Sequence, residues 1–476
     1  MPVITRRGIL KKYYLILLTF IISLILTSDV NAETASDSST AAKLDISITS
    51  KGKNCRGLLD DSYNTNVTFN DNDTITVTSE SPMRGLYIKW NGPVNPWTLE
   101  YNGKTLNCGE NAFVHEYIDL GEDVTTCTIN IHKKISISDI MAYSAGTLPA
   151  DVQVWNRPYD NADILAFAAH ADDEILFLGG VLATYVGGQG DSVQVAYMCD
   201  FWNKEPIREH EKIDGLWEIG LRNYPVCGGF ADIKSLSLSR AKEIYSYDEV
   251  TAFVTEQIRR FKPLVCVTQD LNGEYGHGAH MLLAHAVCDA VDNSASASFC
   301  PESADKYGTY DVPKTYLHLY EQNQIKMNLR TPLAGLGGRT ALEAASDAYL
   351  KHVSQQVWDF IVSDDYEHSC ANFGLYRTTV GADTGNDMLE HITTYEEAKR
   401  IAAEEASKAE AESKSIEEAS SIAAEKSFKA AKTRQKSLPI IIIALVILVV
   451  LIAVMCIIRA NNVRKRRMRK RYKRNK

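Results

Sequence analysis

ILAFAAHADDE, residues 164–174, runs six unbroken apolar residues straight into a histidine and three acids. An apolar run without alternation reads as a strand buried on both faces, as in a parallel sheet. The polar group then falls at the carboxyl end of that strand, where α/β sheets gather their chemistry. Glu174–Val186 has helical apolar spacing and Ser192–Cys199 is a second apolar strand candidate. Arg208–Leu221 and Tyr247–Arg260 read as helices, Leu264–Thr268 as a strand, His280–Ala290 as a helix and Thr315–Tyr320 as a strand. Strands alternating with helices imply βαβ units and a parallel sheet, an α/β fold.

His170, Asp172, Asp173 and Glu174 cannot all be buried at a strand tip without counter-charge. Either they are solvated or a cation holds them. A second polar cluster follows another strand in VCVTQDLNGEYGHGAHMLLAH, residues 265–285, with Asp270, Glu274, Tyr275, His277 and His280. His277 and His280 lie three apart at a loop-to-helix junction. Two histidines and a carboxylate with an open fourth position make catalytic zinc chemistry, in which bound water is acidified and carbonyls are polarised. Each cluster alone has a plain reading: HxxH is often incidental, and DDE suits the start of a solvated helix. Two such clusters, each just after a strand of one sheet, favour the metal.

At these residues the chain resembles the PIG-L/LmbE-like zinc deacetylases. AHADDE matches the family's (A/P)HxDDE strand end, Arg208, Glu211 and Gly220 match its RxxExxxxxxxxG helix, and HGAH matches its HxxH loop. PLAGLGGRTALEAASDAYLKHVSQQ and FGLYRTTVGAD look like the C-terminal part of the family's eukaryote-like branch, and the resemblance covers residues 155–392. It implies a Rossmann-like fold that removes acetyl groups from N-acetylglucosamine-type amides. It implies Zn²⁺ on His170, Asp173 and His280, with Asp172 as general base and His277 as the acid or oxyanion-stabilising histidine. Two positions depart from the pattern: Ala171, where the family often has Pro, and Ala279, where HPDH would supply a carboxylate able to tune the neighbouring histidine. Tyr275, Arg208 and Arg339 are candidate substrate contacts. Arg208 has a second reading as the partner of Glu211, His352 is a further candidate for the pocket wall, and His285 reads as structural.

N-terminal to this unit, residues 44–150 hold short β runs such as Thr74–Thr78, Gly85–Trp90, Trp97–Tyr101 and Thr126–Ile131, punctuated by Asn91-Gly92 and Asn102-Gly103. They read as a β-sandwich. LLDDSYNT from Leu58, LYIKWN and IMAYSAGTLPADVQVW resemble the discoidin-like (galactose-binding-like) jelly rolls, which would make Tyr63, Trp90 and Trp97 candidates for sugar stacking. Aromatic residues of a sandwich are otherwise core.

The two ends carry the address. Arg6, Arg7, Lys11 and Lys12 precede an apolar run to Leu26, and Ala32 closes a secretory signal peptide, residues 1–32, with a linker at 33–43. An uncleaved anchor is the alternative. Residues 151–392 form the α/β domain, residues 393–437 an Ala/Glu/Lys/Ser-rich helical stalk opened by a Thr393 or Thr394 capping box. Leu438–Ile458 is an uncharged span long enough to cross a bilayer. Residues 459–476 then carry eleven Lys/Arg and no acid, which places them in the cytoplasm and the body outside. The overall charge of −9 therefore hides +11 in the tail, +3 in residues 1–32 and −23 in between. So acidic a body excludes phosphate-reading nucleic-acid recognition by that body. The tail alone retains a reading as a surface for anionic lipid. Of ten cysteines, Cys108 with Cys127 and Cys288 with Cys300 are near enough in sequence for disulfides, and no CxxC occurs.

The sequence thus points to a membrane-anchored extracellular zinc N-deacetylase acting on an amino-sugar glycan or glycolipid. The other readings are a catalytically silent surface carbohydrate-binding or adhesion protein, and an amidase for a non-polymer sugar conjugate.

Overall fold

A computed structural model describes residues 39–188 and 190–472. The expected signal peptide, residues 1–32, lies outside the described residues, as do most of the linker and the last four residues of the tail. Two compact units emerge, one ending at Tyr395 and one beginning at Glu396.

Seven strands come first: β1 (Ile46–Thr49), β2 (Val67–Phe69), β3 (Thr74–Trp90), β4 (Trp97–Tyr101), β5 (Lys104–Cys108), β6 (His115–Asn130) and β7 (Ile135–Tyr143). They hydrogen-bond in the order β2-β7-β3-β6-β4-β5, with β1 on β3. The register between β3 and β6 breaks between Thr78 and Gly85. Before the break β3 pairs with β1, after it with β7. Bulges of this kind bend a strand and increase its twist, so the sheet folds over into two layers. Ile75, Val77, Leu86, Ile88, Ile129 and Ile137 fill the space between. Gly85 stands at the fold because a Cβ there would lie 2.2 Å from the Tyr117 hydroxyl. The runs Thr74–Thr78 and Gly85–Trp90 are the two halves of one strand.

The sugar-stacking expectation for the aromatic residues is overturned. Trp90 and Trp97 are 1% and 2% exposed, and both indole nitrogens donate to Glu116 Oε2 at 3.0 Å. Tyr63 lays its ring on His210 of the following module, with centroids 4.3 Å apart.

The second module contains β8 (Ile164–Ala168), α1 (Asp173–Leu176), α2 (Gly179–Gly188), β9 (Val193–Asp200), α3 (Ile207–Glu218), β10 (Val226–Ala231), α4 (Leu238–Ile244), α5 (Tyr247–Phe261), β11 (Val265–Thr268), α6 (Gly278–Asn293), α7 (Pro301–Tyr307), β12 (Lys314–His318), β13 (Gln324–Lys326), α8 (Ala341–Tyr349) and β14 (Asn372–Thr378). The sheet order is β10-β9-β8-β11-β12-β14-β13. The first five strands are parallel. Numbered from β8, they follow the doubly wound order 3-2-1-4-5, with the topological switch between β8 and β11. β8 shows why its sequence does not alternate. Ile164, Ala166 and Ala168 enter the core under α2, α3 and α8, while Leu165, Phe167 and Ala169 enter the core under α5 and α6. An all-parallel sheet is corrected at one edge, where β14 and β13 run antiparallel. The helix expected over Glu174–Val186 is two pieces, α1 and α2.

All ten cysteines are free. Cys108 and Cys127 stand on β5 and β6, which β4 separates, and two strand spacings exceed disulfide reach. Cys300 instead caps α7 and lies 3.7 Å from Thr255 Oγ1.

The second unit is a single helix, α9 (Tyr395–Tyr472), that takes in both the expected stalk and the apolar segment, with Pro439 inside it. At ~1.5 Å per residue the segment 438–458 extends about 30 Å. It is the one helix among the described residues long and apolar enough to cross a membrane.

Lys314 opens β12 fully buried, its ammonium on the Asp383 carboxylate and on the carbonyls of Met388 and Glu390. Removing one member of such a pair strands the other charge. Lys314→Ala is expected to cost about 3–5 kcal/mol, read as a lower urea midpoint, while the combined Lys314→Met and Asp383→Asn replacement recovers most of that loss.

Candidate active site

The turn after β8 and the loop after β11 meet at the switch between these two strands. Asp172 takes a left-handed backbone, φ +113°, which few non-glycine residues adopt. Its amide donates to Glu174 Oε2 at 2.8 Å, so the third acid of the motif holds the first in its strained place. The next loop bends at Gly273, φ +68°, where a Cβ would lie 2.4 Å from the His277 carbonyl.

Three donor atoms converge. His170 Nδ1 lies 2.9 Å from Asp173 Oδ2 and 3.2 Å from His280 Nε2, and His280 Nε2 lies 3.1 Å from Asp173 Oδ2. Donors around a tetrahedral zinc stand about 3.3 Å apart, as bond lengths near 2.0–2.1 Å require. The charge balance agrees. Burial alone would lower the His280 pKa, yet Asp173 and Glu274 pull it up to about 10. Surplus negative charge at two imidazoles and a carboxylate is what a divalent cation satisfies, so these residues fit a metal. His277 also brings a ring nitrogen within 4.8 Å of those of His170 and His280, and its Nδ1 has no partner among the described residues. Burial and the two neighbouring histidines push it down to about 3.

Asp172 sits beside this cluster, 7% exposed, with Oδ1 3.0 Å from Arg208 Nη2. Burial pushes its pKa up to about 7 against the pull of Arg208. The same guanidinium donates to the Ala171 carbonyl and packs 4.0 Å from the Phe201 ring. Pairing of Arg208 with Glu211 is therefore corrected. Glu211 is instead taken by Ser354 and accepts from its amide and hydroxyl, both at 2.6 Å. Arg339 is corrected too: Glu218, at the far end of α3, and Asp347 bind its guanidinium, leaving it outside the cluster. Tyr275 does flank the site, 44% exposed, its ring 5.5 Å from His280 and stacked on Phe360 at 5.1 Å.

The residues that support the cluster include Glu274 and His318, to which the sequence assigns no role, and His352, expected at the pocket wall. Glu274 accepts from His280 Nδ1 at 2.7 Å and from His318 Nδ1 at 2.6 Å. Burial opposes its ionisation, but those two hydrogen bonds hold it at about 2. The carboxylate missing at Ala279 is thus supplied to His280 from six residues upstream. His352 is buried behind the site, with Nε2 3.2 Å from Glu174 Oε1. His318 sits in a strand and carries no motif, so only the fold could bring it in.

The stretch that carries this cluster is also the one similar to known proteins. Residues 165–291 match the family described as PIG-L: GlcNAc-PI de-N-acetylase. A 1D-myo-inositol 2-acetamido-2-deoxy-alpha-D-glucopyranoside deacetylase of Rhodococcus erythropolis is 25% identical over 191 residues, 35% of this chain and 64% of that protein. The chain thus spans less than two thirds of that relative. The second such deacetylase of Saccharopolyspora erythraea is 27% identical over 242 residues, 46% of this chain and 84% of that protein. Among solved structures, the N,N'-diacetylchitobiose deacetylase of Pyrococcus horikoshii aligns with a TM-score of 0.34 and 18% identity over 42% of this chain and 72% of its own. The family match thus falls on the stretch from β8 to α6 that carries His170, Asp172, Asp173, Arg208, His277 and His280, and what the chain shares with the PIG-L deacetylases is this segment.

Proposed function

We propose that the chain is a metal-dependent N-deacetylase that hydrolyses the acetamide of an N-acetylglucosamine-containing glycan or glycolipid. The observation that carries this reading is the convergence of His170 Nδ1, Asp173 Oδ2 and His280 Nε2 within 3.2 Å of one another, beside the Asp172–Arg208 pair. These three residues would hold Zn²⁺, which when bound acidifies water and polarises a carbonyl. Asp172 then takes the proton of the attacking water, since an acid poised near neutrality is suited to general-base work. Arg208 keeps that carboxylate turned toward the cluster. His277 offers an N–H to the oxygen that becomes anionic, and a proton path to the leaving amine. Tyr275 forms the outer wall against which a sugar ring can rest.

The same proposal sets residues 438–458 across a membrane, with the basic residues from Arg459 onward on the cytoplasmic side and the PIG-L domain outside. Its support is the apolar length of α9 and the one-sided Lys/Arg excess that follows it.

Acetate release from N-acetylglucosamine oligomers and glycolipids, with zinc supplied, tests the activity. Asp172→Asn is expected to lower kcat by about 10²–10⁴-fold while retaining the metal. A wild-type chain that releases no acetate with zinc, cobalt, manganese or iron would sink the reading. Because Glu274 orients His280, Glu274→Gln is expected to weaken zinc affinity about 10–100-fold in a chelator titration, and an unchanged affinity contradicts the ligand assignment.

A further inference from the structure

The face of α3 opposite Arg208 is gripped by the N-terminal β module. At 100° per residue, His210 and Asp214 point together, roughly half a turn away from Arg208. Tyr63 stacks on His210 with its ring tilted by 6°, and its hydroxyl donates to Asp214 Oδ2 at 2.7 Å. His115 Nε2 lies 2.9 Å from His210 Nδ1. Gln153 completes the layer: Nε2 donates to Asp214 Oδ1 at 2.6 Å, and Oε1 accepts from Trp155 Nε1 at 2.9 Å and faces His115 Nδ1 at 2.9 Å.

These partners order every proton. Indole N–H only donates and a carboxylate only accepts, so the Gln153 amide has one possible orientation. His115 Nδ1 must then carry the hydrogen, its Nε2 accepts, and His210 Nδ1 donates. The bonds converge on Gln153 Oε1, from Trp155 on one side and from His210 through His115 on the other, and a rotation of α3 would leave members of this buried layer unpaired.

We propose that Tyr63 and His115 are positioning residues for the catalytic turn: by holding His210 and Asp214 they set the rotation of α3 that places Arg208 on Asp172. The inference uses the deacetylase reading only through the roles of Arg208 and Asp172. The β module is then a working wall of the catalytic unit. The clasp is also acid-labile. Burial, and then Lys89, push the His115 pKa down to about 3, and burial and His115 lower that of His210. Asp61 and Asp214 face the same layer, with Lys89 3.0 Å from Asp61 and 4.7 Å from the Tyr63 ring. Neutral rings are kept in the fold while the unfolded chain protonates near 6.5, so their contribution is whole above that pH and is lost as pH falls toward 3.

The test compares the full chain, purified in detergent with zinc, with its Tyr63→Phe variant. Tyr101→Phe is the control, since the Tyr101 hydroxyl serves the same module by donating to the Leu120 carbonyl at 3.2 Å, away from α3. Tyr63→Phe is expected to lower kcat about tenfold with KM within about twofold and zinc content unchanged. It is also expected to move the Arg208 side-chain resonances in ¹⁵N-arginine spectra, while Tyr101→Phe leaves both readouts at wild-type values. Equal losses in the two variants, or wild-type kcat with unmoved Arg208 resonances, would overturn the proposal. Should the wild-type chain release no acetate, the deacetylase reading fails alone. The Arg208 resonances then decide the clasp, supporting it if they move in Tyr63→Phe and overturning it if they do not.

Discussion

Three consecutive acids buried in one turn are tenable only if each finds its own counter-charge, and most of the α/β module is arranged around that requirement. Asp172 takes Arg208 from α3. Asp173 takes His170 from its own turn and His280 from α6. Glu174 faces His352, from the segment after α8, and keeps one oxygen for the Asp172 amide. Three separate stretches of chain are drawn to a single strand tip, and none can shift without stranding a buried carboxylate. The parallel sheet supplies the place and the electrostatics supplies the assembly.

What could be read in the sequence follows the same division. β8 and β11 were legible because strands buried on both faces have no polar positions to interrupt them. His170, Asp173 and His280 were legible because short motifs sit at the ends of those strands. Glu274 was visible without a role, since six residues of loop hide the fact that it turns back onto His280. His318 left no local signal at all, His352 was marked for the pocket wall without its partner Glu174, and the partner of Arg208 was misread. Within α3 the acid one turn on is Glu211, but Ser354 occupies it, and the carboxylate that meets Arg208 comes from a turn 36 residues away. Arg339 was misread for the same reason, because helix ends rather than motifs decide where it pairs. In the β module the runs were right and their connection was not, since two long strands fold over at bulges that no residue pattern announces.

The aromatic residues of the β module show how composition misleads where topology rules. Trp90 and Trp97 share the one carboxylate of Glu116 inside the core, and Tyr63 belongs to the junction with α3. A module that looks separable by its strands is tied to its neighbour by a buried hydrogen-bonded layer that converges on Gln153.

The absence of any cross-link among the ten cysteines has a practical side. Eight of them are shielded or partly shielded, and only Cys227 of the first unit presents an exposed thiol. Nothing in the fold is there for dithiothreitol to cut, and nothing needs an isomerase to shuffle. The first unit is therefore held by packing and buried charge, with its cysteines as free thiols.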